Sequence, residues 1–423
     1  MQTERAVPHD AYAALRFRDF RLYLISSVIG VIGGQIMTVA LGFELWERTK
    51  DPMVLAWIGL IRFVPVLIFT LPAGQAADWY DRRHIMLLSQ VVSAVAALAL
   101  GWLSLNQGAI PLMYLCLLVR SVAITFGGPA RTSLLPYVIV PEHFTNAITW
   151  NSSAFQLALM LGPVLGGMAV TFSVPLAYVF DAACLTVAFA ATAAMRTKTV
   201  ERTHTPASLA GLAAGIHFIY KSKRILAAVT LDTFAMMLGG ATALLPIYAS
   251  DILHVGGSGL GWLRSAPAMG AVVMAFVLAH STGIKRAGPA LLFSVFGFGV
   301  AMVIFGLSKS FWLSFAMLFL TGALDNISVV VRHTMVQMLA PDSLRGRISA
   351  ANSMFIGASN QLGEFESGLV AAWFSPVVSA VTGGIGTMLV VVAVALAWPQ
   401  IRKLGALNEL KAEEDPLETA KAP

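Results

Sequence analysis

Gly74-Gln-Ala-Ala-Asp78-Trp-Tyr-Asp81-Arg82-Arg83 is a polar turn pinned between two long apolar stretches. About twenty hydrocarbon-compatible residues precede it and about twenty follow, each enough for one membrane-crossing helix. Two acids and two arginines on so short a loop are too costly to place in hydrocarbon. The turn therefore marks a membrane surface and makes its flanks neighbouring spans.

Composition agrees. The chain is 57% hydrophobic and 12% charged, against about 25% charged in an ordinary soluble domain. Apolar runs predict twelve helices, at 22–46, 53–77, 84–105, 109–132, 144–170, 174–195, 223–249, 257–281, 288–307, 310–337, 347–371 and 376–399. The predicted organisation is a cytoplasmic segment 1–21, a six-helix bundle 22–195, a linker 196–222, a second bundle 223–399 and a cytoplasmic tail 400–423, expected to be mobile from Ile401 onward. Within the linker, Ser208 to Tyr220 is apolar enough to lie along the membrane as a short helix. The first 21 residues lack the apolar core and cleavage site of a secretory signal, so the first helix is expected to be retained. Cys116 and Cys184 lie inside apolar runs and read as packing residues, and no histidine cluster suggests a metal or a cofactor.

The net charge is +6. With both termini inside, Arg5, Arg16, Arg18, Arg21, Arg82, Arg83, Lys285, Arg286, Arg345 and Arg347 fall on the cytoplasmic side, joined by the linker's Arg196, Lys198, Arg202, Lys221, Lys223 and Arg224. Only Arg48, Lys50 and Lys309 face out. That bias sets the orientation and leaves a nucleic-acid partner without support. The expected partners are a small-molecule substrate, protons and membrane lipids, with the chain monomeric.

The halves resemble each other. Pro141, Ile148, Ser153 and Phe155 recur 200 residues on as Pro341, Ile348, Ser353 and Phe355, with Glu142 matched by Asp342. A tandem repeat of six spans implies a pseudo-two-fold axis along the membrane normal and a route between the halves.

On these residues the chain resembles the major facilitator superfamily. The Gly74–Arg83 turn matches its loop between spans two and three, with a degenerate copy at Thr282-Gly-Ile-Lys285-Arg286-Ala-Gly288. More narrowly it is similar to the bacterial branch of enterobactin exporters and macrolide-efflux-like permeases, through Leu60-Ile-Arg62-Phe-Val-Pro65, Gly162-Pro163-Val-Leu-Gly166-Gly167, and Pro341-Asp342 with Arg345-Gly346-Arg347. The resemblance implies an all-α polytopic membrane protein of the major facilitator fold, alternating access, and export driven by proton entry at the cytoplasmic (inner) membrane. Lipid or lysolipid translocation, and metabolite import or uniport, are the alternatives. No nucleophile–base set or nucleotide loop points to an enzyme.

Particular residues then invite roles. Gly74, Asp78, Arg82 and Arg83 form a gating motif: the glycine permits close approach, Asp78 caps a helix or meets an arginine across the half, and the arginines reach a carboxylate or a helix C-terminus. Mid-span acids are costly unless paired or wet, which makes Asp325, Glu364, Asp232 and Glu366 proton-coupling candidates. Arg332, seven residues after Asp325, is the expected partner if that acid is fixed in a pair. Arg120, Arg62 and Arg264 are substrate or charge-pair candidates, and Glu44 is expected to meet Arg62 near the outer rim. Gly162, Pro163, Gly166 and Gly167 form a helix-bend motif. The tryptophans, Trp46 among them, read as interface anchors.

Overall fold

A computed structural model describes residues 10–196, 209–281, 284–341 and 344–406. Arg5, Lys198, Arg202, Ser208, Thr282, Asp342 and the tail beyond 406 therefore lie outside the described residues. Among the described residues there are twelve membrane-length helices. In chain order they are α1 (Arg18–Thr49), α2 (Met53–Trp79), α3 (Arg82–Leu105), α4 (Ile110–Leu134), α5 (Phe144–Phe172) and α6 (Val174–Ala194); then, after the linker helix α7 (Leu209–Lys221), α8 (Lys223–Ile252), α9 (Gly256–Ala279), α10 (Ala287–Leu307), α11 (Phe311–Leu339), α12 (Arg345–Trp373) and α13 (Pro376–Ala397). Eleven are long and apolar enough to cross a membrane by composition alone. The exception, α12, carries Asn352, Asn360, Gln361, Glu364 and Glu366. Its polarity has a place to go, because it borders the cavity described below.

Each half is a bundle: α1 packs on α5 and α6, and α3 on α4 and α6; α9 packs on α11, and α10 on α11 and α13. The halves meet along α5–α9 and α2–α12. Those contacts concentrate away from the face at which α1 begins and α13 ends (the terminal face), toward the opposite, distal face. One apolar core spans both halves there, joining Leu41, Leu45 and Leu100 to Leu244, Tyr248 and Leu260. Near the terminal face the cores are separate, one around Phe20, Tyr23 and Leu134, the other around Ile225, Leu291 and Leu339.

Helix α8 is broken. A 3-10 turn, Gly240–Leu244, interrupts it and a π turn, Tyr248–Ile252, ends it. Gly240 rests against the backbone of Gly363 in α12, where any side chain would overlap.

Two peripheral segments depart from expectation. Helix α7 does not simply lie along the membrane: it docks on α12, with Phe218 and Ile219 buried and Gly215 pressed against the Arg347 backbone. The tail is not mobile from its start either. Ile401 and Leu404 are buried, and the carbonyls of Leu404 and Gly405 accept from the Gly288 and Ala287 amides (3.3 and 3.0 Å), capping α10.

Candidate functional site: a charged cavity between the halves

Gly59 lets α2 approach α12 so closely that a Cβ there would lie 2.7 Å from the Phe365 amide. Gly368 does the same against Ala56. Gly167, Gly257 and Gly261 build the matching seam between α5 and α9. Of the helix-bend motif, Gly162 and Gly166 instead seat α5 against α1, at Gln35 and Ile36. Small residues bring backbones together where larger ones would hold them apart, and so close the distal face.

Polar groups supplement that seal. Asp251, on the π turn of α8, accepts from Trp46 Nε1 at 3.2 Å and pairs with Lys50 at 3.4 Å. Lys50 also pairs with Glu47 at 3.0 Å, and the Ser250 hydroxyl donates to Glu47. Burial disfavours the Lys50 ammonium, but Glu47 and Asp251 outweigh it and raise the lysine above its ordinary pKa. Trp46, expected as an interface anchor, is buried in this contact between halves.

Beneath the seam lies a cavity of about 390 Å³. The first half contributes Gln35, Thr38 and Arg62; the second contributes Arg264, Asp325 and Glu364, with Met236, Phe298 and Met302 as apolar wall. Arg62 donates to the Thr38 hydroxyl at 2.8 Å and stands 3.9 Å from Glu364 Oε2. Asp325 and Arg264 make no ion pair among the described residues. Gln361, on the same wall, has its Oε1 buried without a partner. Toward the terminal face, a Cβ added at Gly128 or Gly357 would meet nothing within 4 Å.

The structure rearranges the expected pairs. Arg332 meets Asp232 of α8, not Asp325, and both are buried. Seven residues put Asp325 and Arg332 on one helix face but about 10 Å apart along the axis, too far for direct contact. Arg120 pairs bidentately with Asp181 of α6, both inaccessible, in space that Gly33 and Gly34 leave beside α1. Glu44 does not meet Arg62: it pairs with Arg48 one turn on and accepts from the Tyr178 hydroxyl at 2.6 Å. Glu366 accepts from Ser367 at 3.5 Å and does not line the cavity.

In the polar turn it is Asp81, not Asp78, that caps a helix, accepting from the Arg83 and His84 amides at 2.8 and 3.3 Å. Asp78 has no ion pair among the described residues. Arg82 donates to the Ala77 carbonyl at 3.2 Å and stacks over Tyr137. Arg83 reaches the C-terminal carbonyls of α6, at Thr192 (3.1 Å) and Ala193, where a cation is favoured.

Comparison with known proteins follows the same lines. A family model described as "Transmembrane secretion effector" matches residues 9–420. The enterobactin exporter EntS of Shigella boydii serotype 4 (strain Sb227) is 23% identical over 392 residues, covering 91% of this chain and 92% of the relative. EntS of Escherichia coli O1:K1 / APEC matches to the same extent. Among solved structures, the nucleoside transporter NupG superposes with a TM-score of 0.69 at 15% identity, over 91% of this chain and 99% of that one. A POT family transporter in complex with a thioalcohol-conjugated peptide gives 0.72 at 11% identity, over 91% and 96%. At such identities these two likenesses concern the fold alone.

Proposed function

Because the chain belongs to the transmembrane secretion effector family of the major facilitator superfamily, in the branch of the enterobactin exporters, we propose that it exports an amphipathic, siderophore-like small molecule by alternating access, in exchange for protons. The family is one of membrane transporters of the efflux type, not of enzymes. The observation that carries the reading is a mid-span cavity built by both halves, whose apolar cores are joined on the distal side and separate near the terminal face.

The lysine and arginine bias supports a terminal face turned to the cytoplasm of a bacterial inner membrane. On that reading the helices stand in the state that admits cargo from the inside. Asp325 is the carboxylate best placed to exchange a proton for cargo, since it lines the cavity and no ion pair among the described residues holds it. Asp232 and Arg120, each committed to a buried pair, serve the architecture of their halves. Glu364 and Arg62 face the cargo directly.

Reconstitution into liposomes tests this. With an acidic lumen, enterobactin transport into the vesicles should release luminal protons, and Asp325→Asn should abolish the release. Cargo crossing without proton movement would replace antiport by uniport. Movement of a labelled phospholipid in its place, dependent on headgroup, would replace it by lipid translocation.

A further inference from the structure

The cavity holds two guanidinium groups, Arg62 and Arg264, and two carboxylates, Asp325 and Glu364. These charges are not equivalent. A guanidinium in a protein stays protonated, so two positive charges are permanent, whereas either carboxylate is cancelled by one proton. With Glu364 swung off the guanidinium groups, the position it leaves carries an excess positive charge. A cation entering it would have to sit beside two fixed cations.

Glu364 is the occupant of this positive site, and it sits loosely. Its 3.9 Å separation from Arg62 is far longer than the 2.7–2.9 Å, approximately, of a charge-assisted hydrogen bond. It also crosses between halves, from α12 to α2. Three residues before Arg62 is Gly59, whose Cβ position falls 2.9 Å from Glu364 Cβ. The ion pair thus lies at the cavity end of the α2–α12 seam that closes the distal face.

We infer that the cargo carries an anionic oxygen group that binds Arg62 and Arg264 and displaces Glu364, unfastening the halves at the inner end of the seam. This rests on the transport reading of the cavity and adds to it the charge of the cargo and the contact its binding breaks. The apolar body of the cargo lies against Met236, Phe298 and Met302, and a hydroxyl on it can donate to the unpartnered Gln361 Oε1.

Salicylate and salicylamide are near-isosteric probes that differ in charge. Titrated into the purified full-length protein at neutral pH, salicylate should bind about tenfold tighter, the scale of a hydrogen bond to a charged group. Arg62→Gln and Arg264→Gln should each bring the two probes close to parity. Glu364→Gln removes the competitor, so it should strengthen salicylate about tenfold and leave salicylamide unchanged. In a Cys116→Ser, Cys184→Ser background, spin labels at Gln107 and Lys309, on distal-face turns of opposite halves, should show a longer distance population in Glu364→Gln or with salicylate.

Equal binding of the probes, or none of either, overturns the anion assignment whatever else the chain transports. Salicylate affinity indifferent to Glu364→Gln overturns displacement, and an unchanged distance distribution overturns the unfastening. A chain that passes every arm yet moves no cargo across a vesicle membrane keeps this site and loses the transport reading instead.

Discussion

The buried ion pairs divide the charged residues into those that hold the protein and those that work in it. Removing one partner of a desolvated pair strands a charge in a medium that cannot solvate it, which costs about 3–5 kcal/mol. Asp232 and Arg332 are both nearly inaccessible, so Asp232→Asn should sharply lower the melting temperature of the detergent-solubilised protein. Asp325→Asn should lower it far less, because no ion pair among the described residues depends on it. Equal melting temperatures for the two variants would mean the pair is not structural. The sequence suggests other partners, Asp325 for Arg332 by spacing and Arg62 for Glu44 by their common depth near the outer rim. The second error was avoidable: Glu44 and Arg48 stand four residues apart, the spacing at which helical charges meet, and they pair. The first was not, since the partner of Arg332 comes from a helix whose packing partner the sequence does not state.

At the scale of elements, glycine sets where helices cross. Gly261 in α9 lies against α5 so closely that a Cβ would fall 2.5 Å from Pro163 O and 3.0 Å from Gly167 Cα. Gly261→Val should wedge the two helices apart at the distal face. The labelled pair Gln107/Lys309 should then report a longer distance, while the yield of folded protein stays close to wild type, because the seam joins halves that keep their own cores near the terminal face. An unchanged distance would show that the seam is not what keeps this face shut. The spans themselves were legible, because membrane-length apolar runs have few alternatives, and observed ends differ from expected ones by only a few residues. Of the two acids of α12, which point about 200° apart, only Glu364 lines the cavity. The docking of α7 on α12 and of residues 401–405 on α10 was not legible. Short apolar segments beside a membrane can bury themselves in lipid or in protein, and hydropathy does not separate the two.

For the whole molecule, the charge carried per cycle decides what drives it. If the cargo leaves as a monoanion while one proton enters, both movements carry charge in the same electrical sense. Each elementary charge moved through 100 mV is worth about 2.3 kcal/mol, so such an exchange gains about 4.6 kcal/mol from an inside-negative potential of that size. One pH unit adds only about 1.4 kcal/mol per proton. Export should therefore respond more steeply to potential than to a pH gradient. Proteoliposomes loaded with potassium permit the comparison, valinomycin setting the potential and the internal and external buffers setting the pH difference. Wild-type export should fall severalfold when the potential is removed and less when only the pH gradient is. Asp325→Asn should lose the pH-driven part and keep the potential-driven part, since the cargo anion still moves charge. A transporter driven by the pH gradient alone would require a cargo of positive charge equal to the protons exchanged, and with it a cavity in which Arg62 and Arg264 are not the groups the cargo meets.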